Sequence, residues 1–345
     1  MRRERTAKSH RLGATVNATV KRRQFLVSTL AVGLLASGAM TGCATSRAQG
    51  AAGGRLSVVA AESFWGSLAS QLGGDKVDVV SLIDNPATDP HDYEPTAADA
   101  RAVATASLVI VNGVGYDAWA SKLVAANPTS GRQVITVGKL VGAPSDANPH
   151  RWYNPTDVKQ VVAAITASLT KADPADAGYF ASTRQTFQTT GLADYNALIA
   201  DIKAKYAGTP VGASESIFAM LAPALGLDLV TPPRFLRAIS EGSEPTASDK
   251  TTIDRQIQQH RITVYVYNSQ NATPDVQAQV DEAKAAGIPV TTITETLQPT
   301  GATFQSWQVA QLKALENALA KAKTATAASA APAAAAAVVT SERAA

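Results

Sequence analysis

Beyond the basic N-terminal segment, the chain has three histidines, His91, His150 and His260. Two of them follow a proline, in the segments Asp89-Pro90-His91-Asp92-Tyr93-Glu94-Pro95 and Asn148-Pro149-His150-Arg151-Trp152-Tyr153-Asn154-Pro155. A neutral imidazole is the commonest transition-metal ligand among side chains, and flanking prolines limit the entropy lost when the ring is fixed. His91 and His150 are therefore candidate metal ligands; the alternative is two loop histidines bonded to carbonyl groups or water. His260 ends a predicted helix, where the helix dipole favours an exposed histidine.

The elements that must position these histidines alternate in the first part of the chain. Strands are predicted at Ser57–Ala61, Val77–Leu82, Leu108–Val111 and Val134–Val137. Helices are predicted at Phe64–Leu72, from the N-cap Thr96 to Ala104, and at Tyr116–Ala126. Short loops between alternating strands and helices favour a parallel sheet with helices on both faces. His91 and His150 each follow a strand, at the carboxyl edge of such a sheet, where ligands bind.

The pattern changes between Pro155 and Lys205, where there is only helical periodicity, broken at Asp173-Pro174. Alternation then resumes, with strands predicted at Val211–Ala213, Leu227–Val230, Ile262–Tyr267 and Ile288–Ile293. Helices are predicted at Glu215–Leu225, Ile253–His260, from the N-cap Thr273 towards Gly287, and in a final segment containing Phe304, Trp307, Leu312, Leu315 and Leu319.

The fold class is therefore α/β, with two lobes that are each a mainly parallel sheet flanked by helices. A single long rigid helix joins them. We place the lobes at residues 55–172 and 207–323, the joining helix at 173–206, and an Ala-rich low-complexity tail without an assigned fold at 324–345. A cleft between two lobes is the default position for a ligand.

The N-terminus predicts an export signal in residues 1–42. A basic region is followed by the apolar run Phe25–Met40 and then by Met40-Thr41-Gly42-Cys43. This context of the single cysteine resembles a bacterial lipobox, which implies a lipidated Cys43 and a tether over residues 43–54. The alternative is a membrane-spanning anchor, because residues 25–42 are nearly long enough. The pair Arg22-Arg23 also resembles a twin-arginine signal, so general secretion and twin-arginine export both stay open.

Composition excludes several other classes of protein. The 345 residues are 46% hydrophobic and 17% charged, which excludes a disordered polyelectrolyte. The net charge of +3 arises from the N-terminal signal, so the rest of the chain is net acidic and has no basic tract for nucleic acid. One cysteine excludes a disulfide framework and a thiolate metal cluster.

Several motifs, in order, resemble the zinc and manganese solute-binding lipoproteins of ABC transporters, the cluster A-I metal-binding proteins. The resemblance spans roughly Leu56 to Ala320 and rests on these segments: His91-Asp92-Tyr93-Glu94-Pro95-Thr96, Asn112-Gly113, Tyr116-Asp117-Ala118-Trp119, Pro149-His150-Arg151-Trp152, Ser214-Glu215-Ser216-Ile217-Phe218, Ser240-Glu241-Gly242-Ser243-Glu244-Pro245, and Thr291, Ile293 and Glu295. It implies two α/β lobes bridged by one long helix, with a metal ion bound between them by two ligands from each lobe.

Carried over position by position, the resemblance implies His91, His150, Glu215 and Glu295 as ligands. The family usually has aspartate at the position of Glu295, and the extra methylene of glutamate changes how far the carboxylate extends. The alternatives are that Glu215 is a first-turn glutamate stabilised by a helix dipole and that Glu295 is an exposed loop acid. Two acids of one loop, Glu241 and Glu244, are possible substitutes. Asp92 and Glu94 are predicted to support the ligands or to cap the backbone, and Trp119, Trp152 and Tyr153 to form core or cleft wall.

Two imidazoles and two carboxylates would neutralise a divalent cation in a dry cleft. Oxygen ligands shift the preference towards Mn(II) and Fe(II), and a long histidine-rich loop, frequent in zinc members, is absent from the sequence. The sequence therefore favours manganese as the transported ion, with zinc or iron as alternatives. The affinity for the metal should fall as the pH drops through about 6.5, where histidine side chains become protonated.

The resulting hypothesis is a metal receptor of an ABC importer that is not an enzyme. It is anchored by lipid at the extracytoplasmic face of the bacterial membrane, is monomeric, and delivers one ion per chain to a permease with its ATPase subunit. One alternative is a metallohydrolase, which would need an open metal position and a general base; no His-Glu-x-x-His segment is present in the sequence. Another is a surface adhesin, a role that some family members have.

Overall fold

The structure is a computed structural model that describes residues 54–342, with side chains described through residue 325. The predicted signal in residues 1–42, the predicted lipidation site Cys43 and almost all of the tether lie outside these residues.

The first lobe alternates strands and helices as its sequence pattern predicts. Its elements are β1 (Leu56–Glu62), α1 (Ser63–Gly73), β2 (Val77–Ile83), α2 (Ala97–Thr105), β3 (Leu108–Val111), α3 (Ala118–Ala126), β4 (Gln133–Thr136), the single turn α4 (Val137–Leu140) and α5 (Pro155–Ala172). Thr96 caps α2 as predicted: its side chain accepts from the Asp99 N–H, and Asp99 accepts from the Thr96 N–H. This capping box satisfies two backbone donors that the first turn leaves free.

The second lobe is built in the same way. Its elements are β5 (Pro210–Ala213), the single turn α8 (Ala222–Leu225), β6 (Asp228–Leu229), α9 (Pro233–Ser240), α10 (Ala247–Gln258), β7 (Val264–Asn268), α11 (Pro274–Ala285), β8 (Val290–Ile293) and α12 (Phe304–Glu342). Thr273 caps α11 as predicted, with Pro274 in the first helical position. Helix α9 has no counterpart among the predicted helices.

All strand pairs in the two sheets are parallel, which confirms the predicted fold class. The orders are β2-β1-β3-β4 and β6-β5-β7-β8, so each lobe repeats one arrangement. The central strands β1 and β3 are buried on both faces, as continuous apolar runs such as Leu108–Val111 require. The loops after the strands of each sheet therefore gather at one edge.

The joining segment is helical but not a single uninterrupted α-helix. It comprises a short 3₁₀ turn at Pro174–Asp176, α6 (Ala177–Thr186), a π-helical turn at Phe187–Gly191 and α7 (Ala193–Tyr206). Asp173 caps its start, accepting from the Ala175 N–H at 3.1 Å. Leu192, with a ψ of 7°, lies between the π-turn and α7, so the single long helix predicted between the lobes is divided into two α-helices at this point.

The final helix runs further than the sequence pattern predicts. The Ala-rich segment beyond Lys323 has no predicted fold, but α12 continues to Glu342. Alanine has the highest helix propensity of all residues, so an Ala-rich continuation extends a helix that packing has already nucleated. No helix within residues 54–342 combines the length and apolar character needed to cross a lipid bilayer.

The largest apolar cluster is shared by both lobes and by the helices between them. Phe64 of α1 stacks on Trp152 with ring centroids 4.0 Å apart, and Tyr153 lies 5.5 Å from Trp307 of α12 in edge contact. Helix α12 also packs on α7. Because densely packed interiors resist deformation, this shared core limits how far the lobes can separate.

Candidate metal centre

The loops at the carboxyl edges of both sheets enclose a cleft of about 1280 Å³. Its lining includes His91 and Asn148 from the first lobe and Ser216, Gln270 and Glu295 from the second. His150 and Glu215 are not among the lining residues and are buried, with 1% and 2% of their surfaces exposed. The structure thus places two of the four predicted ligands at the cleft surface and leaves the other two buried.

The orientation of the His150 ring is determined by Asn148. The Asn148 Nδ2 group donates to the Ser216 carbonyl at 2.6 Å, so its Oδ1 atom faces His150. That oxygen lies 2.8 Å from His150 Nδ1. Since an amide oxygen can only accept, the proton of the neutral imidazole must be on Nδ1, and the lone pair is then on Nε2.

The Nε2 atom of His150 lies 3.3 Å from Glu295 Oε1, in the opposite lobe. Both are acceptors when the imidazole is neutral and the carboxyl is ionised, so a cation must lie between them to make the contact favourable. A proton can do this, and so can a metal ion. Two ligands of a tetrahedral ion with bonds of about 2.1 Å are about 3.4 Å apart, so this spacing suits a shared ion.

Glu215 does not begin a helix, contrary to the sequence prediction. It lies in a bend after β5, followed by the 3₁₀ turn Phe218–Met220 and the single turn α8. Two amides clamp its carboxylate: Asn268 Nδ2 donates to Oε1, and Asn271 Nδ2 donates to Oε2 at 2.9 Å. Glu215 is therefore oriented by amide donors and not by a helix dipole.

The same environment raises the pKa of Glu215 to about 7. Burial is the largest cause and the negative charge of Glu295 adds to it, while His150 and the two amides act in the opposite direction. Desolvation disfavours the ionised acid, so a cation arriving beside Glu215 would replace a proton near neutral pH.

Glu295 follows β8, and its backbone N–H donates to Gln270 Oε1 at 2.6 Å. Although burial opposes ionisation, the contact with His150 and the charges of His150 and His91 hold the pKa of Glu295 below its usual value. Glu295 is thus not the exposed loop acid of the alternative interpretation. Its side chain is 16% exposed.

His91 is exposed in the loop between β2 and α2, and its ring meets the face of Tyr116 edge-on at 4.9 Å. The Tyr116 ring also lies 6.0 Å from the His150 ring. Tyr116 is fully buried, so it forms a rigid surface between the two imidazoles. Burial, followed by the charges of Glu295 and Glu62, raises the pKa of its hydroxyl, which keeps it neutral.

The structure therefore brings His150 and Glu295 into contact and sets Glu215 and His91 within range of their charges. Among residues 54–342, no three His, Cys, Asp or Glu side chains are close enough together to hold an ion in the conformation described. The four-ligand set stays a prediction, and completing it requires movement of side chains towards the His150–Glu295 pair.

The other predicted acids lie further out. Glu241 is 63% exposed at the cleft, 3.8 Å from Arg237 Nε, and Glu244 is 89% exposed beside Lys250. Asp92 and Glu94 are exposed. The backbone N–H groups of His91 and Thr96 in their loop donate instead to Asp89 and Asp99. His260 is exposed and has a positive φ of 50° just after α10. A left-handed backbone conformation is common at this position, just beyond the end of a helix.

Sequence reasoning gave no individual role to the amides that hold the site. Asn148, Asn268, Gln270 and Asn271 each bond to a candidate ligand or to its backbone. The run Asn268-Ser269-Gln270-Asn271 at the carboxyl end of a predicted strand was the available signal, since polar residues there face the ligand edge of a parallel sheet.

The role of Asn148 can be tested directly. Asn148→Ala removes the acceptor that holds the His150 proton on Nδ1, and we expect the affinity for Mn²⁺ to fall about 10- to 100-fold, as for other residues that orient metal ligands. Asn148→Asp keeps that acceptor and should retain most of the affinity. Equal losses in the two variants, measured by competition with a fluorescent chelator, would show that the ring is oriented by something else.

A second pair of buried acids, Glu62 and Asp117, acts on the Tyr116 hydroxyl. The Asp117 carboxylate accepts from the backbone N–H groups of Asn112 (2.6 Å) and Gly113 (2.7 Å), and Gly113 has the left-handed φ of 74° that this turn requires. Glu62 is fully buried, and burial, followed by the charge of Asp117, raises its pKa well above 4.5. Glu62 is therefore harder to ionise in the folded protein than in the unfolded chain.

Glu62→Gln should stabilise the protein at alkaline pH. Because the folded state holds this proton and the unfolded chain releases it above about pH 4.5, folding stability is lost as the pH rises, until Glu62 ionises in the fold as well. A glutamine has no such proton to lose, so we expect a gain of about 1–3 kcal/mol at pH 8 and little change at pH 4.5, by urea unfolding. Glu94→Gln, an exposed control, should change neither value. An equal gain at both pH values would contradict a raised pKa of Glu62.

The comparison with known proteins is consistent across sequence and structure. A model of the family described as zinc-uptake complex component A, periplasmic (ZnuA) matches residues 58–318. The manganese ABC transporter substrate-binding lipoprotein PsaA of Streptococcus anginosus is 26% identical over 271 residues, covering 72% of this chain and 84% of that protein.

Two solved structures share the fold. The Mn-bound periplasmic metal-binding protein of Candidatus Liberibacter asiaticus has a TM-score of 0.64 and 22% identity, covering 77% of this chain and all of that one. FpvC of Pseudomonas aeruginosa in complex with Mn²⁺ has a TM-score of 0.63 and 24% identity, covering 77% of this chain and 99% of that one.

Proposed function

Because the chain belongs to the ZnuA family of periplasmic metal-uptake components, we propose that it is the solute-binding protein of an ABC importer for a divalent transition metal. It captures one ion in the cleft between its lobes and delivers it to a membrane permease. The observation that carries this proposal is the 3.3 Å approach of His150 Nε2 to Glu295 Oε1 across the lobes. Two acceptors at that spacing form the start of a metal-binding shell.

The proposed ligands are His150 and Glu295, joined by Glu215 and His91. The carboxylates of Glu215 and Glu295 together balance the charge of a divalent cation, which offsets much of the cost of burying it. Two ligands come from each lobe, so binding links the lobes. Four protein ligands leave little room for a reactive water, which supports a receptor and not an enzyme.

Manganese is the favoured cargo, with zinc and iron as alternatives. Two carboxylates and two imidazoles form a harder ligand set than the three nitrogens that suit zinc. The PsaA relative is named for manganese, and FpvC was solved with Mn²⁺, while the family takes its name from zinc. Intrinsic affinity at nitrogen and oxygen sites is higher for zinc than for manganese, so the physiological choice also depends on availability.

The proposed location is the extracytoplasmic face of the bacterial membrane, with a lipid on Cys43. Support comes from the lipobox-like Met40-Thr41-Gly42-Cys43 and from relatives named as lipoproteins. The proposed partners are a permease and its ATPase subunit, which receive the ion from a monomeric receptor.

Metal analysis of the purified chain without the predicted signal and Cys43, residues 44–345, tests this function. The protein is freed of metal, dialysed against Mn²⁺, Fe²⁺ or Zn²⁺, and its bound metal is measured by mass spectrometry. We expect one ion per chain for each metal and mutual competition among the three. Stoichiometry well below one for all three metals would refute the proposal.

A further inference from the structure

The side-chain amide of Gln270 uses both its acceptor and its donor positions in the loop after β7. Its Oε1 accepts from the backbone N–H groups of Glu295 at 2.6 Å and Thr296 at 2.9 Å. Its Nε2 donates to Thr296 Oγ1 at 2.8 Å and to the Pro86 carbonyl at 2.9 Å. A primary amide has two donors and two acceptor sites, so this side chain is fully bonded in one orientation.

The bond to Pro86 crosses from the second lobe to the first. Pro86 lies in the loop between β2 and α2, five residues before His91. The same loop is held to its own lobe at Pro90, whose carbonyl accepts from Trp119 Nε1 at 2.9 Å. The segment that presents His91 is therefore anchored near one end by its own lobe and near the other by Gln270.

His91 itself is held by few contacts. Its ring is exposed and packs edge-on against Tyr116, and its backbone N–H donates to Asp89 Oδ1 at 2.8 Å. The reach of His91 towards Glu295 thus depends on the position of its loop. Gln270 holds the Glu295 backbone with one end of its amide and the His91 loop with the other.

We propose that Gln270 is a positioning residue that fixes the His91 loop relative to Glu295, so that His91 completes the metal shell and slows release of the ion. This inference rests on the proposed function. It assigns Gln270 a role distinct from that of a ligand, because its own polar atoms are already occupied by backbone groups and Thr296.

Gln270→Glu distinguishes the acceptor role of the amide from its donor role. The carboxylate can still accept from the Glu295 and Thr296 N–H groups, but it cannot donate to the Pro86 carbonyl. Its added negative charge would by itself strengthen attraction for a cation. We expect the Mn²⁺ affinity nevertheless to fall about tenfold, with faster dissociation, because His91 is no longer positioned.

The control for charge is Gln277→Glu in α11, an exposed glutamine whose Nε2 donates to Asp281 at 2.9 Å. The decisive comparison is made in the His91→Ala variant. Adding Gln270→Glu to that variant should leave the Mn²⁺ affinity unchanged or raise it, since the residue that Gln270 positions is gone. An equal loss in both backgrounds, or a gain in the wild type, would overturn the proposal.

A second measurement does not depend on metal binding. Amide hydrogen exchange of residues 85–92 in the metal-free protein should accelerate in Gln270→Glu and not in Gln277→Glu. Unchanged exchange would refute the positioning role whether or not the wild type binds metal. Accelerated exchange in a protein that binds no metal would instead refute the proposed function.

Discussion

His150→Ala is expected to lower the affinity for Mn²⁺ by about 100- to 1000-fold. The substitution removes the buried imidazole whose Nε2 atom lies 3.3 Å from Glu295 Oε1, and it leaves that acid without its partner. Removing one buried partner of a polar contact and leaving the other unpaired costs about 3–4 kcal/mol in binding, and each 1.4 kcal/mol corresponds to about tenfold in affinity. The measurement is competition with a chelator of known affinity at pH 7.5.

His260→Ala is the matched control, since His260 is exposed beyond α10, outside the cleft lining. It should bind Mn²⁺ as the wild type does. The metal-free His150→Ala protein should also keep its circular dichroism spectrum, so that loss of binding is not loss of fold. Affinity within about threefold of the wild type would exclude His150 as a ligand.

Glu215→Gln is expected to lower the affinity by about 100-fold at pH 8, by replacing a buried negative charge with a neutral amide. The loss should shrink as the pH falls. With a pKa of about 7, Glu215 is ionised at pH 8 and mostly protonated at pH 6. A metal ion must displace that proton, so wild-type affinity falls towards that of the variant as the solution becomes more acidic.

For Glu215 alone, this proton competition weakens binding by about tenfold between pH 8 and pH 6. Titrations at four pH values in this range, with wild type, Glu215→Gln and the exposed control Glu244→Gln, measure the effect. A ratio of wild-type to Glu215→Gln affinity that stays constant from pH 8 to pH 6 would show that Glu215 does not exchange a proton for the ion.

Local patterns were sufficient to predict most of the elements. Apolar runs such as Leu108–Val111 predicted the strands, and their alternation with helices predicted parallel pairing, because a parallel connection requires a crossover. The caps Thr96 and Thr273 were predictable because capping involves residues only three positions apart. Boundaries were less accurate where packing decides them, as in the replacement of the predicted helix at Glu215–Leu225 by two short turns.

Parts of the candidate site could also be predicted from the sequence. Imidazoles beside proline at strand ends, and the ordered motifs of the resemblance, identified His91 and His150 and pointed to Glu215 and Glu295. The sequence did not indicate that Asn268 and Asn271 clamp Glu215, or that Asn148 sets the tautomer of His150.

The α/β class and the two lobes follow from propensity and periodicity, which are properties of neighbouring residues, and the chemical types of the candidate ligands follow from the family resemblance. The contact of His150 with Glu295, 145 residues away, and the bond of Gln270 to the His91 loop arise only in the folded chain. The strength of a buried acid or imidazole depends on desolvation and on partners from distant segments. Those are fixed only when the lobes pack together.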